Sequence, residues 1–225
     1  MINGTNFNCA EEVAATRYVE ANTAIPVPHI LDCVSLHRPG LPLMGLVVMK
    51  VASGHPLGQK GEHLDKMSQR QKDVFVQTLR GWFEQLQSLL PPDEHIISGS
   101  QKGGLYSFRI RDVLDGPLGP YPTQHVFHAQ DFCTPWPIEL EKAEVAKALE
   151  HRSRTNYKIC LTHGDLIPLI DWETASWMPE YWELTRALFL RLSYTGWVEP
   201  FKRIFPGYDS EVIVESAIWR HWEAD

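Results

Sequence analysis

The chain has little cysteine, no excess of positive charge and no long apolar run, and each shortage removes a class of protein. Its 4 cysteines, Cys9, Cys33, Cys133 and Cys160, are scattered without a Cys-x-x-Cys pair. That spacing supports neither a structural zinc site nor a disulfide framework, so reduced, partly buried thiols are expected. Lysine and arginine number 21 against 28 acidic residues, a formal net charge of -7. Without a basic run, the chain is not expected to bind nucleic acid, whose phosphates reward concentrated Lys and Arg. No segment approaches the ~20 apolar residues of a membrane span, and residues 1 to 24 hold no apolar block of signal-peptide length. A cytoplasmic location with no membrane partner is the expectation. Internal repeats and low-complexity tracts are also missing. Two His-containing groups, His125-Val126-Phe127-His128 and His163 with Asp165 and Asp171, lack a third spaced ligand, which argues against a metal hydrolase.

What is present is the composition of an ordinary globular protein, with 44% hydrophobic and 22% charged residues over 225 positions. Asn8 followed by Glu11 reads as a helix start, with Ala14, Tyr18 and Ala21 on one face and an end near Asn22. Pro26 and Pro28 impose an extended passage. Ile30 to Leu36 and Met44 to Val51 then read as a strand pair turned at Arg38-Pro39-Gly40. From Met67 to Leu90 the apolar residues Val74, Phe75, Leu79, Trp82, Phe83 and Leu86 recur at helical spacing until Pro91-Pro92 stops them. Residues 93 to 136, rich in Gly and Pro, read as a long loop with short helical pieces. Further helices are expected at about Ile138 to Arg152, Glu180 to Leu192 and Ser210 to Trp222.

The stretch that carries chemistry is Leu161-Thr162-His163-Gly164-Asp165-Leu166, at the end of an apolar strand from Tyr157 to Leu161. It is followed closely by Ile170-Asp171-Trp172-Glu173 and the aromatic run Trp177-Met178-Pro179-Glu180-Tyr181-Trp182-Glu183. The aromatic residues Trp172, Trp177, Tyr181 and Trp182 are expected to pack in the core beside the motif rather than to form a binding surface.

This stretch resembles the aminoglycoside phosphotransferase and choline kinase-like family, in a truncated form of the fungal type. Weaker likenesses accompany it in Glu11 to Val19 with Ile25-Pro26-Val27-Pro28, in Leu46 to Met49 with Gly54, and in Gly103-Gly104-Leu105-Tyr106 with Arg109-Ile110. The resemblance implies an α+β, protein kinase-like fold. Residues 1 to 52 would form a reduced N-terminal lobe of one helix and hinge strands, and residues 53 to 225 a mainly helical C-terminal lobe. It further implies ATP-dependent phosphorylation of a small-molecule hydroxyl, with Mg2+ and ATP as cofactors. Asp165 corresponds to the catalytic base, Asp171 to the magnesium ligand and Met49 to the hinge that meets the nucleotide. His163 and Gly164 would shape the turn. Glu173 would support the metal or, as the favoured reading, pair with an arginine such as Arg186.

The chain also departs from the family pattern. The fifth residue after Asp165 is Ile170 where a metal-binding Asn is expected, and only five residues separate Asp165 from Asp171. Leu166 to Ile170 cannot supply both a catalytic loop and the hairpin that normally follows it. Neither a glycine-rich loop nor a phosphate-binding Lys precedes Asn8. Gly58-Gln59-Lys60-Gly61 lies in the wrong order for a phosphate loop and reads as a surface turn, Lys50 stands where an acid is usual, and Glu12 has no evident lysine partner. Reduced or absent catalysis is therefore expected, with a non-catalytic binding or interaction module of the pseudokinase type as the alternative. A splicing or gene-model product would show the same gap; sequencing the transcript across the codons for Leu166 and Ile167 separates the two. Substrate and oligomeric state have no readable code in the sequence.

Overall fold

Gln69–Ser88 form α2, the longest helix, and the reasons are local. Ser68 caps it: its side chain accepts from the Gln71 backbone N–H at 3.3 Å, and Gln71 Oε1 accepts from the Ser68 N–H at 2.9 Å, a reciprocal capping box. Val76, Leu79, Phe83 and Leu86 form its buried stripe. Two residues expected on that stripe are exposed, Val74 at 58% and Leu90 at 81%. Val74 lies off the stripe, and the helix stops before Pro91-Pro92, leaving Leu89 as its last buried neighbour. Gly81 sits in this helix with nothing within 4 Å of where a Cβ would stand. Gly81→Ala is therefore expected to stabilise the protein by about 0.5–1 kcal/mol, read as a higher urea midpoint, because a helical glycine loses backbone entropy with no packing in return.

The computed structural model describes residues 9–36, 44–51, 64–106, 117–164, 170–189 and 198–222. Outside them lie the Arg38-Pro39-Gly40 turn, Gly54, the Gly58–Gly61 cluster, Arg109-Ile110 and the short apolar run before Ile170.

The remaining elements gather into two sheets and a helical body. α1 (Cys9–Asn22) leads to β1 (Ile30–Leu36) and β2 (Met44–Met49), an antiparallel pair running from Ile30 opposite Met49 to Leu36 opposite Met44. α1 packs on this pair and also on the turn 172–174. Two partners explain why its buried residues are Cys9, Glu12, Val13, Ala15, Thr16 and Val19 rather than the Ala14, Tyr18 and Ala21 face. Gly45 makes the first contact possible, since a Cβ there would stand 2.0 Å from Cys9 Sγ.

The second sheet has the order β3 (Ser98–Gly99), β5 (Ser176–Pro179), β4 (Ile159–Thr162), all antiparallel, with β4 and β5 buried throughout. Within residues 93 to 136 lie β3 and α3 (Gln124–His128), a short helix as expected for that stretch. The single helix expected from Ile138 is two, α4 (Pro137–Leu140) and α5 (Ala143–Arg154), parted at Glu141 and Lys142. Lys142 there turns back to Glu139, 2.7 Å away. α6 (Trp182–Phe189), α7 (Val198–Ile204) and α8 (Asp209–Trp222) complete the body. α7 was not expected; its Phe201 meets Phe83 of α2, and Phe205 just beyond it lies 4.8 Å from the same ring. Trp172, Trp177, Tyr181 and Trp182 are all buried, so the aromatic run is core. Cys9, Cys133 and Cys160 are buried free thiols and Cys33 is exposed. Among the described residues no helix is long and apolar enough to cross a membrane.

Candidate active site

β4 delivers His163 and Gly164 to the rim of the second sheet, and α6 holds them there. The Glu183 carboxylate, buried on α6, accepts from the His163 N–H at 2.9 Å and from the Gly164 N–H at 3.5 Å. One turn further along α6, Arg186 Nε donates to the Gly164 carbonyl at 3.0 Å. Charge-assisted bonds of this kind are stronger than neutral ones, so the turn is clamped from both its donor and its acceptor sides.

Gly164 has φ +80°, and a Cβ on it would stand 2.8 Å from the Thr174 carbonyl and 2.9 Å from Thr174 Oγ1. The position therefore requires glycine twice over, for its left-handed backbone and for its close approach to the neighbouring turn. Thr174 Oγ1 in turn donates to the His163 carbonyl at 3.0 Å.

The His163 ring closes the other side. Its Nε2 lies 2.9 Å from the Ile170 carbonyl, and because a carbonyl only accepts, Nε2 carries the proton. The same ring meets Trp172 edge-on with centroids 4.6 Å apart. His163 thus ties together the two ends of the segment from Gly164 to Ile170, and this contact brings the two motif halves side by side.

Asp171 follows at φ +70° and ψ 54°, left-handed and partly exposed, at the start of the 172–174 turn. A non-glycine residue in that region is uncommon and is held by its surroundings, here the buried Trp172 and the His163 contact. Glu173 is half-buried on the same turn. Arg186, the arginine suggested for it, has its Nε on Gly164. Met49 ends β2 opposite Ile30, on the first sheet. Asp165 lies outside the described residues.

Sequence reasoning missed Glu183 and Arg186 as the clamp. Their signal was an acid and a base one helical turn apart in Trp182–Phe189, whose other residues are apolar except Thr185, a pattern that marks buried charges with fixed partners. It also missed that Glu12 is buried beside the motif. Burial raises the Glu12 carboxyl above the usual carboxylate range, and the charge of Asp171 adds to the effect. Cys9, at the start of the same helix, is raised first by burial and then by Cys33 and Glu12.

Among the described residues no three His, Cys, Asp or Glu side chains form a ready-made metal group. Asp171, partly exposed at the start of the 172–174 turn, is a hard oxygen donor, which suits magnesium, an ion that keeps several waters and takes one or two carboxylates. The donor chemistry therefore fits that ion.

The sequence matches no family model and no curated protein. Among solved structures the chain is similar to a thermostable mutant of the aminoglycoside phosphotransferase APH(4)-Ia in its apo form, with a TM-score of 0.53 and 17% identity, over 95% of this chain and 75% of that one. At such identity the likeness speaks for the fold alone: mixed α+β, about half helical, with small sheets.

Proposed function

We propose that the chain is an aminoglycoside phosphotransferase-like protein whose inherited reaction is ATP-dependent phosphorylation of a small-molecule hydroxyl, and that it performs this reaction weakly or not at all. The observation that carries the reading is the bond from His163 Nε2 to the Ile170 carbonyl, which sets the strand-end turn directly beside the Asp171 turn. In this reading residues 1 to 52 are a reduced first lobe with Met49 toward the nucleotide, and residues 53 to 225 are the helical lobe. Asp165 accepts the proton of the acceptor hydroxyl, and Asp171 holds magnesium, with Glu173 in support. Asp171 would hold magnesium there, and the ion would supply positive charge against the charge that develops on the phosphates. Glu183 and Arg186 keep the turn before Asp165 rigid, and His163 keeps Asp171 within reach of it.

Impairment follows from what the short connection cannot hold. Ile170 stands where a second metal ligand is expected, and positioning errors of about 1 Å cost on the order of a hundredfold in rate. Steady-state assays with Mg-ATP against aminoglycosides, choline and related amino alcohols are expected to give turnover at least about a hundredfold below the ~1–100 per second common among kinases. Robust turnover that Asp165→Ala abolishes would overturn the impairment.

The same short connection favours a second reading, a non-catalytic binding or interaction module that retains the helical lobe as scaffold. A thermal shift with Mg-ATP separates the two, since a ligand raises apparent stability only by binding the folded state. A shift that is lost in Asp171→Ala supports nucleotide binding; no shift supports the module.

A further inference from the structure

Two of the four cysteines lie on either side of the contact between α1 and the first sheet. Cys9 opens α1 and is 6% exposed. Its sulfur presses on Gly45, so closely that a Cβ there would stand 2.0 Å from Cys9 Sγ and 3.9 Å from Cys9 Cα. The strand register then places Cys33. Gly45 is paired with Ser35 and Val47 with Cys33, and side chains alternate along a strand, so Cys33 stands on the face that Gly45 and Val47 share. That face is the one turned to α1: Gly45 and Val47 are half-buried, whereas Leu46 and Val48 are exposed. Cys33 is therefore the diagonal neighbour of the residue on which the Cys9 sulfur rests. Such neighbours lie about 7–8 Å apart, with their Cβ atoms closer. The two thiols also feel each other's charge, Cys33 raising Cys9 next after burial. Cys133 and Cys160 are buried on other elements.

We infer that Cys9 and Cys33 are a redox pair, reduced in this structure, that closes a disulfide stapling the start of α1 to β1. Cys33 is exposed and is the sulfur that a small disulfide reaches first. Its thiolate attacks one sulfur of oxidised glutathione and releases one glutathione thiolate, leaving a mixed disulfide on Cys33. The Cys9 thiolate then attacks the Cys33 sulfur, the Cys9–Cys33 bond forms, and the second glutathione leaves. The two thiol protons end on the two departing thiolates, so two protein thiols are oxidised and one small disulfide is reduced. The bridge removes freedom from the unfolded chain between residues 9 and 33. Because α1 also packs on the 172–174 turn that Asp171 opens, the staple fixes the helix on which that turn rests. The inference needs neither nucleotide nor metal.

The full chain is equilibrated with a series of oxidised-to-reduced glutathione ratios, its remaining thiols are alkylated in denaturant, and the digest is read by mass spectrometry. The expected product is a peptide joining Cys9 to Cys33 that dithiothreitol removes, with Cys133 and Cys160 alkylated. Oxidised wild type should melt several degrees above reduced wild type, and Cys33→Ser should show no such difference. In Cys9→Ser the reaction should stop with glutathione on Cys33, which identifies Cys9 as the sulfur that displaces it. Glutathione retained on Cys33 in wild type, or a bridge between the Cys33 residues of two chains, overturns the inference. So does a Cys9–Cys33 bridge that lowers the melting temperature, since the sulfurs would then meet only when α1 leaves the sheet.

Discussion

Arg152→Ala is expected to destabilise the protein by about 3–5 kcal/mol, the largest effect of any single substitution away from the candidate site. Arg152 lies in the last turn of α5 and is 3% exposed. Its Nε donates to Glu211 Oε2 at 2.5 Å and its Nη2 to Glu215 Oε1 at 3.1 Å, both on α8. The Tyr157 hydroxyl donates to the other Glu211 oxygen at 2.5 Å, and the guanidinium lies over the Tyr181 ring, 5.2 Å from its centroid. Burial works against the Arg152 charge, yet Tyr181, Glu215 and Glu211 outweigh it and hold the group firmly protonated. Burial, then the bond to Glu211, raises the Tyr157 hydroxyl above its ordinary value.

The attraction within the pair is not what makes the loss large. Truncating Arg152 leaves two carboxylates buried against α5 with no cation, and that desolvation has no compensation. Urea unfolding measures it. A loss below about 1 kcal/mol would mean that water reaches the carboxylates and the site is not dry. Arg154, two residues on and paired with Glu150 at 2.6 Å on the surface, is the control, with an expected change of no more than about 0.5 kcal/mol on truncation.

Gly164→Ala comes second, at about 2–4 kcal/mol. A left-handed backbone costs an L-residue roughly 1–2 kcal/mol, and forcing a methyl into a packed site costs about 1–3 kcal/mol more. Relief is hard to find. The atoms the methyl would strike are the Thr174 carbonyl and the Thr174 hydroxyl, and the hydroxyl is itself bonded to the His163 carbonyl. The expected measurement is a fall in both melting temperature and urea midpoint, because the substitution pushes the 172–174 turn away. Wild-type stability in Gly164→Ala would mean that Thr174 moves aside freely and that the turn is not clamped.

The two substitutions probe different kinds of information in the chain. Gly164 was legible: a glycine between His163 and Asp165 after an apolar strand marks a sharp turn, and the structure gives that turn its positive φ. Arg152 was not. In the sequence it is one more basic residue in the last turn of a surface-like helix, a place where cations are favoured anyway. Only the arrival of α8, more than fifty residues later, buries it. The same reasoning covers the misread face of α1. Apolar periodicity assumes one partner per helix, and α1 has two, so polar Glu12 and Thr16 are buried while Tyr18 is left half-open. α7 escaped notice for another reason, its seven residues including Pro200, Lys202 and Arg203, which gives too short and too polar a pattern to stand out.

By itself the sequence determined the long helix α2, with its apolar spacing and proline stop, the pairing of β1 with β2, the glycine turn after His163, and the short interval between Asp165 and Asp171. Each depends on residues within one or two turns of one another, so local geometry is enough. The tertiary structure alone decided that Glu183 and Arg186 clamp the turn, that Arg152 is dry, and that Glu12 lies buried on a helix packed against the 172–174 turn. Burial and pairing of a charge depend on which distant segment covers it, and no pattern within a helix's own residues carries that information.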